Sequence, residues 1–133
     1  MTASDTLRES ALALSLTVKD VQKSLAWYRD VVGFAVARTR EQEGKLRSAT
    51  LTAGDARLTI NQDDGVKGWA RVKGEGFSIT LTTRQDVDAL AAGIKARGGT
   101  LDTEPADMAW GVRLFRLRDP DGYKFAISQP RPS

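Results

Sequence analysis

The segment Ala13-Leu14-Ser15-Leu16-Thr17-Val18-Lys19-Asp20-Val21 changes its apolar period from two to about 3.6 within a few residues. Leu14, Leu16 and Val18 alternate with small or polar neighbours, as in a strand with one apolar face. Asp20 stands where a helix N-cap belongs. Val21, Leu25, Tyr28 and Val32 follow at i, i+4, i+7 and i+11, and Gly33 offers a left-handed stop. This predicts a strand followed by an amphipathic helix of about three turns. Downstream, Phe34 to Arg40, Leu46 to Thr52 and Arg57 to Gln62 read as three strands, separated by Glu41 to Lys45 and by Gly54-Asp55. The order is β, α, β, β, β.

Residues 63–74, glycine-rich and of mixed charge, read as a connector, after which the pattern restarts. Ser78 to Thr83 repeats the strand alternation. Thr83 with Asp86 resembles a capping box, Val87, Leu90, Ala91 and Ile94 mark a helical face, and Gly98-Gly99 closes it. Thr100 to Thr103, Val112 to Arg118 and Tyr123 to Gln129 are strand candidates, the last two joined by the turn Asp119-Pro120-Asp121-Gly122. The halves superpose: Asp20-Val21 on Asp86-Val87, Gly33 on Gly99, and Leu58 to Gln62 on Phe125 to Gln129. The expectation is an α+β chain of two βαβββ modules, about 13–62 and 76–129, forming a single domain over residues 1–133. An ordinary α+β domain whose halves are alike by coincidence is the competing reading.

Composition narrows the chemistry. The chain has 133 residues, a formal charge of +3 from 20 basic and 17 acidic residues, and neither Cys nor His. Disulfides, thiolate chemistry and imidazole ligation are therefore excluded. The charges are interleaved, with no basic stripe, which argues against nucleic-acid binding. No apolar run approaches the roughly 18 residues of a membrane span and the N-terminus has no signal-peptide pattern, so a water-soluble cytoplasmic protein is expected. Residues 65–76 lack any GxxxxGK[ST] or GxGxxG phosphate cradle, and no cofactor is expected.

Two motifs carry a family resemblance. Leu16 to Tyr28 with Gly33-Phe34 resembles the opening of a vicinal oxygen chelate protein, of the glyoxalase, bleomycin-resistance and dioxygenase group. Trp110-Gly111-Val112-Arg113-Leu114-Phe115, then Asp119-Pro120-Asp121-Gly122, resembles its closing hairpin. The resemblance implies two curved sheets forming an open cup, often completed across a homodimer. It also implies that a metal-dependent member would place His or Glu at the positions held here by Ala13, Thr59, Ser78 and Ala126. Methyl groups and neutral hydroxyls do not replace imidazole and carboxylate around Zn, Ni or Fe(II), so no metal site is expected.

By strand alternation the cup face takes Ala13, Ser15, Thr17, Arg57, Thr59, Asn61, Ser78, Thr80, Ala126 and Ser128. Arg57 and Asn61, with Arg47, are candidates for polar contacts to a ligand. Trp110 and Arg113 are candidates for stacking on a ring and holding an anionic group, the alternative being that Trp110 packs a loop and Arg113 is structural. Trp69 could form a flap over the mouth or anchor a surface loop, while Trp27 reads as core or interface.

The function expected from these residues is metal-independent binding of a neutral or anionic, partly aromatic small molecule in the cup or in a homodimer groove, as in drug-sequestering, antibiotic-resistance members. A cationic glycopeptide fits the positive chain poorly. The alternatives are an enzyme, either a glyoxalase-like lyase or isomerase with a divergent site or a metal-free member using Tyr123, Lys124 or a carboxylate, and a scaffold whose interface is functional.

Overall fold

A computed structural model describes residues 5–131. Strand β1 (Leu14–Val18) leads into α1 (Val21–Ala26), which continues as a π-helical stretch over Trp27–Val32. Strands β2 (Ala35–Gln42), β3 (Lys45–Ala53) and β4 (Ala56–Gln62) complete the first module. The second comprises β5 (Ile79–Thr82), α2 (Val87–Ala96), β6 (Thr103–Asp107), β7 (Val112–Arg118) and β8 (Lys124–Pro130). Each module forms a four-stranded sheet, ordered β1-β4-β3-β2 and β5-β8-β7-β6, in which the first strand runs parallel to the last. The two βαβββ modules of the sequence reading are thus present, and the sheets stay open.

The helix starts repeat in atomic detail. Asp20 accepts from the Gln22 and Lys23 amides, and Asp86 accepts from the Asp88 amide. Gln62 and Gln129, each near the end of its module's last strand, accept from the first helical amides, Val21 N at 3.0 Å and Val87 N at 3.2 Å. One donor that a helix end leaves unpaired is thereby satisfied from the adjacent sheet in each module.

Three local expectations are corrected. Asp86, not Thr83, caps α2; Thr83 Oγ1 instead accepts from the Gln85 amide at 3.1 Å in a turn leading to the cap. The strand expected at 100–103 lies at Thr103–Asp107, because the chain leaves α2 through Gly98 and Gly99 and first meets β7 at Asp102 N, 2.7 Å from Arg116 O. Pro105 is tolerated there because β6 is an edge strand with a register shift between Thr103 and Ala106. The second half of the first helix winds as a π-helix, with Gly33 N and Phe34 N both donating to Tyr28 O. Gly33 terminates it at φ +107.

One hydrophobic cluster includes residues of both modules. Leu16, Val18, Leu51, Leu58 and Ile60 contribute from the first, and Ile79, Ile94, Phe115, Leu117 and Phe125 from the second. Tyr28 is fully buried, edge-on to Trp27, Phe34 and Phe125, and its hydroxyl donates to Asp119 Oδ2 at 2.8 Å. The connector is held by a buried ammonium. Lys73 Nζ lies 3.2 Å from Asp63 and 3.1 Å from Asp121, whose Oδ2 also accepts from Lys19 N. These polar contacts tie the end of β4 to the β7–β8 turn.

Candidate functional site

The helices cover one face of the sheets, and the opposite face forms the wall of the cup. On the first sheet this wall is built in rows. Arg40 lies opposite Ser48, which lies opposite Asn61, which lies opposite Thr17; the next row runs Arg38, Thr50, Thr59, Ser15. Asn61 Nδ2 donates to Ser15 Oγ at 2.8 Å, and the Thr50 and Thr59 hydroxyls are 3.2 Å apart. The centre is therefore a surface of neutral hydroxyl and amide groups held by their own hydrogen bonds. Arg57, opposite Thr52, closes the lower row.

The second sheet continues the pattern. Thr80, Ala126 and Arg116 share one row, and Thr82, Ser128 and Leu114 the next. Ala126, Ser128 and Leu114 are buried, so this half of the wall is smooth and partly apolar. Lys124 and Arg118 pair at the end of the sheet. Arg118 is held by Asp102 at 2.9 Å. By contrast Arg38, Arg40, Arg57, Arg116 and Lys124 are exposed on this face and form no ion pair among the described residues. An exposed guanidinium keeps its water at little cost and remains open to a carboxylate or phosphate, which it can grip with two parallel hydrogen bonds.

The residues singled out from sequence do not all gather in this place. Arg57 and Asn61 are on the cup wall, and Arg57 also lines a small cleft of about 190 Å³ with Thr80, where the two sheets adjoin. Arg113 lies opposite Gln129, in the row with Phe115 and Leu117 that faces α2. There it grips Asp88 with Nε and Nη2 at 2.8 and 2.9 Å and Asp107 with Nη1 at 3.0 Å. Its hydrogen bonds hold the Asp88 carboxyl below the usual range. Trp110 is exposed in the β6–β7 turn, while the Arg113 guanidinium is engaged by Asp88 and Asp107. Trp69 lies on the helix side beside Arg47, away from the cup.

Among candidate acid–base groups, Tyr123 is buried and donates to Thr17 O at 2.8 Å, with burial raising its pKa. Glu104 pairs with Lys95. Both are engaged in structure. Sequence reasoning missed Arg38, Arg40 and Arg116, because alternation was followed only along the first and last strand of each module. The same period, extended to β2 and β7, places all three on the cup face.

A family model for the glyoxalase/bleomycin resistance protein/dioxygenase superfamily matches residues 11–127. The chain belongs to this superfamily. As a superfamily member it is 31% identical over 120 residues to a probable lactoylglutathione lyase of Vibrio cholerae, covering 86% of each chain. It is 31% identical to lactoylglutathione lyase GLX1 of Arabidopsis thaliana, but that match spans only 42% of the plant protein. A superfamily structure from Sphaerobacter thermophilus superposes with a TM-score of 0.70 at 27% identity, over 90% of this chain and 98% of that one. The structure of TioX from Micromonospora sp. ML1 superposes at 0.73 with 20% identity, over 91% and 99%, which shows the fold alone.

The metal that the superfamily implies does not suit the residues at its four positions. Thr59 Oγ1 is engaged with Thr50, Ala126 presents a buried methyl group, and Ala13 and Ser78 fall one residue before β1 and β5. Among the described residues, no group of three or more carboxylates is arranged to hold a metal ion. A neutral hydroxyl is a weak ligand for Zn, Ni or Fe(II), so this donor set does not fit.

Proposed function

We propose that the protein binds small organic anions, in part aromatic, in the cup without a metal ion, as a cytoplasmic homodimer. The observation that supports this most is the set of exposed cations, without ion-pair partners among the described residues, around a wall of neutral hydroxyls. Such a wall orients a ligand through hydrogen bonds, and the guanidinium groups at its edges select negative charge. The likeness to lactoylglutathione lyases supports the alternative of a lyase or isomerase with a divergent site. The four metal-ligand positions argue against that alternative.

The experiment is a thermal-shift screen of anionic, neutral and cationic metabolites in chelator. An anionic hit at about 100 times its dissociation constant adds about 2.7 kcal/mol of apparent stability. Arg57→Gln should weaken that hit by about tenfold, the scale of one charge-assisted hydrogen bond. Raising salt should weaken it further, because exposed charges are screened over about 10 Å at 0.1 M. Hits confined to neutral or cationic compounds would refute the assignment.

The homodimer rests on the outer edge of the first sheet. All eight residues of β2 are exposed, and an open strand edge is a surface that natural proteins cover or blunt. Sedimentation at micromolar concentration should give a dimer; a monomer would confine the pocket to one chain.

A further inference from the structure

Three buried side-chain atoms among the described residues stand out: Ser24 Oγ and Arg47 Nε have no hydrogen-bond partner, and Asp63 Oδ2 has none beyond its ion pairs with Lys73 Nζ at 3.2 Å and Arg71 Nε at 3.4 Å. Buried polar atoms are nearly always paired, so each such exception calls for a reason. These three residues all line one groove on the helix side of the first module, divided by Trp69. On one side of the indole is a hollow of about 570 Å³ that includes Arg47 and Asp63. On the other is a hollow of about 370 Å³ that includes Ser24, itself 1% exposed. The cup lies on the opposite face of the sheet.

The charges of the groove are unequally engaged. Its carboxylates all have partners: Asp20 accepts from the Gln22 and Lys23 amides, Asp64 from Val66 N, Asp121 from Lys19 N and Lys73, and Asp63 is ion-paired to Lys73 and Arg71. The side chains of Lys19, Lys23, Lys45 and Arg47 form no ion pair among the described residues. What the groove has free is therefore donor chemistry. Trp69 is 51% exposed and rests on Gly65, where a Cβ would run into the indole ring. The ring is held in place from one side while half of it stays open.

We infer that this groove is a second binding site, for an aromatic carboxylate, with the ring against the Trp69 indole and the carboxylate on the Arg47 guanidinium. The Ser24 hydroxyl supplies a further donor in the adjoining hollow. The site does not depend on the reading of the cup.

The test is a titration of the ¹⁵N-labelled protein with benzoate, and separately with benzyl alcohol, following the three indole N–H resonances. Trp69→Phe assigns the Trp69 signal. Benzoate should shift that signal saturably while Trp27 and Trp110 stay in place, and benzyl alcohol should have no saturable effect. Arg47→Gln should weaken benzoate by about tenfold and Arg47→Lys, which keeps the charge without the planar fork, by less. An unchanged amide spectrum verifies that both variants fold. A linear, unsaturated response, equal shifts with the alcohol, or movement of Trp110 in place of Trp69 would each overturn the inference. So would unchanged affinity in Arg47→Gln.

Discussion

Replacing Phe115 by alanine should destabilise the protein by about 3–5 kcal/mol, and the loss should appear in one cooperative transition. Phe115 is fully buried on β7, in a cluster that also contains Leu51 and Ile60 from the first module. A ring removed from such a cluster takes its burial energy with it and leaves a cavity that the surrounding side chains fill only in part. Because the cluster spans both modules, the damage is shared. In a background with Trp69→Phe and Trp110→Phe, urea unfolding followed by fluorescence of the remaining Trp27 in the first module and by far-ultraviolet circular dichroism should give coincident midpoints with and without the Phe115 substitution. Separate transitions, with only one displaced, would show that the modules are independent folding units and that the single-domain expectation is wrong.

Tyr28→Phe should cost about 2 kcal/mol at neutral pH and much less in acid. The hydroxyl donates to Asp119, a buried carboxylate that also accepts from the Tyr123 and Asp121 amides. Burial pushes the Asp119 carboxyl above its usual pKa, while these donors, the Tyr28 hydroxyl first, pull it back. A folded-state pKa above the unfolded value of about 3.9 means that Asp119 favours the fold most below that value and loses this contribution as pH rises through the folded pKa. Without the hydroxyl the folded pKa rises further. The stability gap between wild type and variant should therefore open as pH climbs from about 4 towards neutrality. Urea denaturation across that range reads it directly. A loss that is constant with pH would assign Tyr28 to packing alone.

The parts of the fold that were legible in sequence are those fixed by local chemistry. The shift from period two to period 3.6 at Val18-Lys19-Asp20, and its repetition at Thr82 to Val87, locates both modules because a cap and a strand-end glutamine serve the same helix start in each. At Arg113, nearness in sequence and strand parity point in different directions. Its nearness to Trp110 in sequence suggested a shared subsite, yet it has the parity of Phe115 and Leu117, whose large apolar side chains commit that row to α2. The parity was present in the residues and outweighs proximity. Strand β8 is harder to read, since Phe125, Ala126, Ile127 and Ser128 are all buried and both faces are covered. The Asp63, Lys73 and Asp121 cluster had no sequence signal, because its members come together only when the connector folds against the β7–β8 turn.

The cup differs from the connector in this respect. Its hydroxyl wall follows from alternation along β1, β3 and β4, and its cations from the same alternation along β2, β4, β7 and β8, so chemistry and period coincide. The missing imidazole is equally plain in the composition. Both features support the proposed metal-independent binding.

The most direct measurement is made on one preparation: calorimetric titration of the strongest anionic hit into chelator-treated protein and into the same protein resupplied with Zn or Ni, with lactoylglutathione lyase activity assayed on both. The account predicts equal affinity in the two samples and no turnover in either. Binding that appears only after the metal is restored, or lyase activity that returns with it, would contradict the account.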